Sequence, residues 1–181
     1  MNAVPHTPQT DTDIPPVDDA MSDHERLLNR LRLSGFVEHE VEGDGNCQFR
    51  ALSDQFYQTP EYHRDIRKQV VNQLKEHPEM YKEYIAMPYN DYLKMMVKDG
   101  EWGDHVTLQA AADLYGVKIM IVTSFKDTWY IEIIPKTEKP KRGVYLSFWA
   151  EVHYNSIVFQ GDAVKVKRKK GWSSGSKNKG R

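Results

Sequence analysis

Apolar residues recur along the middle of this chain at two spacings, helical first and strand-like later. Ser22 is a helix-capping residue, Leu27, Leu28 and Leu31 form the stripe behind it, and Gly35 stands where a helix should end. Val37, His39 and Val41 alternate with Glu38 and Glu40, which predicts one short early strand. Gly43-Asp44-Gly45-Asn46 is a turn signal, after which Phe49, Leu52 and Phe56 return to helical spacing. Thr59-Pro60 joins a cap to a first-turn proline, and the helix behind it buries Ile66, Val70 and Leu74. Further helices are predicted near 79–86 and 91–99, the second closed by Gly100. Another spans 104–115, with Leu108, Ala111, Ala112 and Tyr115 as its inner face and Gly116 as its stop.

Beyond Gly116 the pattern changes. Val117-Lys118-Ile119-Met120-Ile121-Val122 predicts a strand, as does 129–134. A polar loop over 135–142 follows. Strands at 144–148 and 151–159 come next, close enough in sequence to form a hairpin. Helices first and strands last point to an α+β fold, with a small, mainly antiparallel sheet packed between helices.

Composition bounds what this fold can be. The chain has 181 residues, 39% of them hydrophobic, with 4 Trp, 10 Tyr and 6 Phe, enough for one well-filled core. No run approaches the roughly 20 apolar residues of a membrane span. No basic patch followed by an apolar stretch opens the chain, so a soluble monomer in the cytoplasm, the nucleus or both is expected. A single Cys excludes an intrachain disulfide and a Cys-rich zinc site, and the 7 His are scattered, so neither metal nor cofactor is expected.

Net charge is only −1, but it is unevenly spread. Residues 1–20 carry Asp11, Asp13, Asp18 and Asp19 among four prolines, and read as a disordered tail. Residues 161–181 carry eight Lys or Arg against Asp162 and read the same way, leaving 21–160 as the folded domain. Within the second tail, 165–170 holds five basic residues in six. It reads either as a solvated face or as a nuclear import or nucleic-acid contact, the one route by which nucleic acid enters the picture.

The sharpest local feature is Asp44-Gly45-Asn46-Cys47-Gln48-Phe49-Arg50. Cys47 falls where a glycine-bearing turn meets the first turn of a helix. Unpaired N–H groups and the helix dipole favour an anion there, which predicts a lowered thiol pKa. The same turn offers the backbone N–H groups of Gly45, Asn46 and Cys47 as an oxyanion hole. A lone Cys is more commonly a small buried hydrophobe, and position alone does not choose between the two.

His153 lies on the last strand, in Glu151-Val152-His153-Tyr154-Asn155-Ser156-Ile157. Side chains two apart on a strand share a face, so His153 and Asn155 point the same way. An Asn carbonyl can take one imidazole nitrogen and leave the other for a thiol, the Cys-His-Asn arrangement. A structural histidine beside a turn-proximal Asn reads equally well from spacing. His39 and His105 are read as structural, though both lie within reach of the same chemistry. His63 and His77 are read as solvent-facing. Asp44 either orients the site or shapes its loop as an Asx turn.

At this point the residues match a known pattern. Asp44-Gly45-Asn46-Cys47-Gln48-Phe49-Arg50-Ala51 resembles the nucleophile motif of the ovarian-tumour (OTU) cysteine proteases. Trp102-Gly103-Asp104-His105-Val106-Thr107-Leu108-Gln109-Ala110 resembles their middle motif, and His153-Tyr154-Asn155-Ser156 their histidine motif. The ordered set is closest to single-domain plant members. The resemblance implies a papain-like fold and a deubiquitinase cutting after the C-terminal glycine of ubiquitin or a ubiquitin-like modifier. Its partners would be ubiquitin or polyubiquitin. Cys47 would be the nucleophile, His153 the base, and Asp44 or Asn155 the third member. The sequence departs at Gln48, where many relatives carry an apolar residue and where the side chain is expected to face outward. It departs again at Thr107, where many carry Glu. A module that binds ubiquitin without useful activity is the alternative.

Overall fold

The structure, a computed structural model, describes residues 22–163. The expectations for the 1–20 tail and for the basic run at 165–170 lie outside the described residues. Helix α1 (Asp23–Leu33) opens with a capping box: the Ser22 side chain accepts from the Glu25 N–H, and the Glu25 carboxylate accepts from the Ser22 N–H. Leu27 and Leu31 are buried, but Leu28 is 43% exposed and Arg30, at 3%, takes the inner face in its place. Arg30 Nη1 donates to the carbonyls of Thr123 at 2.7 Å, Phe125 at 2.6 Å and Thr128 at 3.1 Å. Those carbonyls lie at the end of one strand and in the loop after it, where few ladder partners are on offer. Satisfying them with one guanidinium decides which side of the helix faces in.

The strands form one five-stranded sheet in the order β1 (Phe36–His39), β5 (His153–Phe159), β4 (Arg142–Trp149), β2 (Val117–Thr123), β3 (Tyr130–Ile133). Every neighbouring pair is antiparallel except β2 with β4. The exception follows from β3. It pairs with β2 as a hairpin, and the chain then returns through the 134–141 segment to lay β4 along the other side of β2. The mainly antiparallel α+β fold is therefore present with one parallel pair inside it. Trp129, expected in β3, lies outside it, with Arg30 over its ring at 5.2 Å.

Helices cover both faces. On one, Leu27 and Leu31 of α1 pack with Val122 and Ile157. On the other, α2 (Cys47–Tyr57), α3 (His63–Glu76) and α6 (His105–Tyr115) build the main core through Phe49, Leu52, Ile66, Val70, Leu74 and Leu108, against Ile119 and Leu146. Between α3 and α6 run the short α4 (Pro78–Tyr81), a 3₁₀ turn (Lys82–Tyr84) and α5 (Tyr89–Met96). These replace the two longer helices expected near 79–86 and 91–99. Thr59-Pro60 heads a 3₁₀ turn (Pro60–Tyr62), and α3 begins after it. Among the described residues no helix is long and apolar enough to cross a membrane.

One polar side chain fixes α2 to the sheet. Gln55 Nε2 donates to Ser156 Oγ and to the Ile157 carbonyl, each at 2.8 Å, and its Oε1 accepts the Tyr145 N–H at 2.8 Å. The helix that starts at Cys47 is thus bolted to β5, the strand that starts at His153. Leu74, fully buried at 0% exposure, probes the core beneath this frame without touching it. Leu74→Ala should lower unfolding free energy by about 2–5 kcal/mol, read from urea denaturation, with no change in the reactivity of Cys47.

Candidate active site

The turn before α2 is held by its own side chains. Asp44 takes Arg50 as a bidentate partner, Nε to Oδ1 at 3.1 Å and Nη2 to Oδ2 at 2.7 Å. The Asn46 N–H donates to Asp44 Oδ1 and its Nδ2 to Oδ2, both at 3.1 Å. The Arg50 guanidinium, acting first, holds the Asp44 carboxyl far below the usual carboxylate range, and Asn46 adds to it. Asp44 is therefore committed to the shape of the loop. Asn46 is committed in the other direction as well. Its Oδ1 accepts from Arg67 Nη2 at 2.7 Å and from the Gly100 N–H at 2.8 Å. Gly45, at φ +84°, passes so close to the Gly100 carbonyl that a β-carbon would collide with it.

The far side of the site is built by β5. His153 Nε2 lies 2.9 Å from Asn155 Oδ1, as expected of two residues on one strand face. The same Oδ1 accepts the Val41 N–H at 3.0 Å, which identifies it as the carbonyl oxygen. An oxygen can only accept, so Nε2 carries the imidazole proton and Nδ1 holds the lone pair. Nδ1 faces the turn before α2: a β-carbon on Gly43 would sit 3.8 Å from it. The neighbouring Tyr154 N–H is directed at the Cys47 thiol. The sulfur thus lies by the second residue of β5, and the imidazole faces the Gly43 end of the turn.

Cys47 is 6% exposed, and its electrostatics differ from the simple helix-terminus expectation. Burial pushes the thiol up, and this outweighs the downward pull of the backbone N–H groups of Tyr154, Gln48 and Cys47 itself. The Asp44 carboxylate adds a smaller upward push. The predicted lowering therefore does not hold in the free protein, because desolvation of the thiolate exceeds what those amides return. The oxyanion set changes too. The Asn46 N–H is engaged by Asp44, which leaves Gly45 and Cys47 as the candidate donors.

Two other expectations are corrected. Gln48 does not face outward but is buried at 1% exposure, with Nε2 donating to the Asp104 carbonyl at 3.1 Å and Oε1 accepting from Thr107 Oγ1 at 2.6 Å. His63 is not solvent-facing but 5% exposed, with no partner for Nδ1. His39 lies 3.2 Å from Asp54 Oδ2, which ties its ring to α2 away from the sulfur. His105 is exposed at the start of α6. Arg67, missed in the sequence, joins the turn to its surroundings: beyond Asn46 it donates to the carbonyls of Met96 at 3.0 Å and Glu101 at 2.7 Å, and it stacks on Phe49. Nothing in its helical spacing set it apart from a surface arginine. Among the described residues no group of three or more His, Cys, Asp or Glu is placed to hold a metal ion.

The chain is similar to known proteins. The family model described as OTU-like cysteine protease matches residues 42–154, which span the turn, Cys47 and the start of β5. The chain is 59% identical, over 90% of its length, to OVARIAN TUMOR DOMAIN-containing deubiquitinating enzyme 9 of Arabidopsis thaliana, covering 47% of that protein. It is 58% identical to enzyme 12 of the same plant, over 85% of this chain and 70% of the other. The chain spans about half the length of the first curated relatives it matches. Its fold matches the solved OTUD1 OTU domain with a TM-score of 0.66 at 21% identity, covering 75% of this chain and 94% of that one. An OTU domain solved in complex with ubiquitin matches at a TM-score of 0.59 and 19% identity, over 72% and 81%. On the family match and these identities, the chain belongs to the OTU-like cysteine protease family.

Proposed function

We propose that this chain is a deubiquitinase that cleaves the bond after the C-terminal glycine of ubiquitin, with Cys47 as nucleophile, His153 as base and Asn155 as the residue that orients the base. The observation that carries the reading is the His153 imidazole, tied at Nε2 and open at Nδ1 towards the turn that presents Cys47. The engagement of Asp44 by Arg50 favours Asn155 over Asp44 as third member, since Asp44 contacts the loop and Asn155 contacts the base.

In this mechanism Nδ1 takes the thiol proton as the sulfur attacks the glycine carbonyl carbon. The N–H groups of Gly45 and Cys47 receive the oxyanion, at about 3 kcal/mol per donor. The protonated imidazole gives its proton to the departing lysine amine, leaving a thioester on Cys47. Water, deprotonated by Nδ1, attacks that thioester, and a free ubiquitin carboxylate departs as the thiol is restored. Because burial holds the free protein's thiol neutral, the thiolate–imidazolium pair is formed on substrate binding rather than standing ready.

Cys47→Ala should abolish release of ubiquitin from diubiquitins and from a C-terminal fluorogenic amide, while the thermal transition stays where it was. His153→Ala should lower kcat by roughly a thousandfold or more. Asn155→Ala should cost about ten- to a hundredfold, because it only orients the ring. A silent Asn155→Ala beside a dead Asp44→Ala would reverse the assignment of the third member. A second measurement follows from the raised thiol. Cys47 is the chain's one cysteine, so iodoacetamide uptake by the free protein reports it alone. Uptake should be slow at neutral pH and climb only above the ordinary thiol range of roughly 8.5. A plateau already reached at pH 7 would contradict the neutral resting thiol.

A further inference from the structure

Immediately after Cys47, the buried Gln48 carboxamide is hydrogen-bonded at both ends to another segment of the site. Its Nε2 holds the Asp104 carbonyl and its Oε1 the Thr107 hydroxyl, both at the head of α6. The carboxamide also reaches the Tyr154 phenol, one residue past His153, and acts against the burial that pushes that phenol up to about 12. Gly103 is a glycine for the same reason: a β-carbon there would overlap the Gln48 carboxamide. Asp104 and Thr107 are themselves fixed. Asp104 caps the Val106 and Thr107 N–H groups, the Thr107 hydroxyl accepts the Asp104 N–H at 2.8 Å, and the Tyr92 hydroxyl donates to the Asp104 carboxylate. A rigid helix head therefore stands behind Gln48, and the Tyr154 backbone that supplies an N–H to the sulfur stands in front of it.

We infer that Gln48 is a positioning residue, paired with Thr107, that fixes the Cys47 sulfur against the start of β5 by tying the first turn of α2 to the head of α6. Its length and two-ended hydrogen bonding suit this in a way an apolar residue does not. Oε1 needs the Thr107 hydroxyl, so the two positions work as one unit. The two side chains meet at 2.6 Å, out of reach of water. A buried amide left half-satisfied would cost more than an apolar side chain, which ties each of the pair to the presence of the other. Gln48 touches no reacting atom, so its effect passes through the Tyr154 N–H and the alignment of sulfur with imidazole. The inference rests on the reading of Cys47 as nucleophile.

The test compares Gln48→Leu, Thr107→Val and the double variant with wild type in three measurements: kinetics on a ubiquitin C-terminal fluorogenic amide, the pH profile of Cys47 alkylation by iodoacetamide, and thermal denaturation. Gln48→Leu should lower kcat about ten- to a hundredfold through misalignment of sulfur and imidazole, with KM within about twofold of wild type. The alkylation midpoint should rise by about half a pH unit or more, as the thiolate loses the held Tyr154 N–H. The double variant should lose no more than the worse single variant. Wild-type kcat and alkylation profile in Gln48→Leu, with or without a lower thermal transition, would overturn the inference and leave Gln48 a packing residue. So would single losses that multiply in the double variant. If Gln48→Leu does not fold, Gln48→Met takes its place with the same expected results. If wild type itself turns over no ubiquitin substrate, the deubiquitinase reading fails, while the alkylation profile still decides the role of Gln48.

Discussion

Everything about the site depends on one junction, where the first turn of α2 meets the first residues of β5. The sulfur at the head of the helix and the imidazole at the head of the strand are separated by more than a hundred residues of chain. Polar side chains fix the helix and the strand to each other on top of the apolar core that α2 joins. Gln55 holds the middle of α2 to Ser156, Ile157 and Tyr145, so the helix cannot slide along the sheet. Val41, on the segment that leads into the turn, donates to the same Asn155 oxygen that faces His153. Asn155 thus holds both the His153 ring and the segment that leads to Cys47. Asn46, Arg67 and Gly100 close the opposite side of the turn.

This junction also explains the balance of charge at the sulfur. A thiolate at a helix head in water would be favoured by the surrounding amides. Here the sulfur is buried, and desolvation is the larger effect. Asp44 stands close enough to oppose a second negative charge, yet its own charge is held by Arg50. A site arranged in this way disfavours the thiolate in the free protein.

Much of this was legible in the sequence where the cause is local. Ser22 before α1 and Gly116 after α6 mark helix ends because caps act over three or four residues. Ile66, Val70 and Leu74 mark a buried stripe because one helix face sees one core. His153 and Asn155 share a face by strand periodicity alone. What was not legible depends on partners distant in the chain. Arg30 displaces Leu28 from the inner face because a loop some ninety residues later offers it carbonyls. Gln48 looks like a surface residue until α6 supplies Thr107 and the Asp104 carbonyl. The pairing of β2 with β4 is parallel because β3 intervenes, which no local period records. The thiol's raised pKa depends on burial, a property of the whole fold rather than of the turn.

The central claim is that His153 presents Nδ1 to the nucleophile with its proton fixed on Nε2 by Asn155. Nitrogen-15 NMR of the imidazole side chains, with His153 assigned through His153→Gln, reads that tautomer directly in the free protein. The account predicts a neutral ring protonated at Nε2, and mixed tautomers once Asn155 is replaced by Ala. A ring protonated at Nδ1 in the unaltered protein, leaving no lone pair towards Cys47, would contradict it.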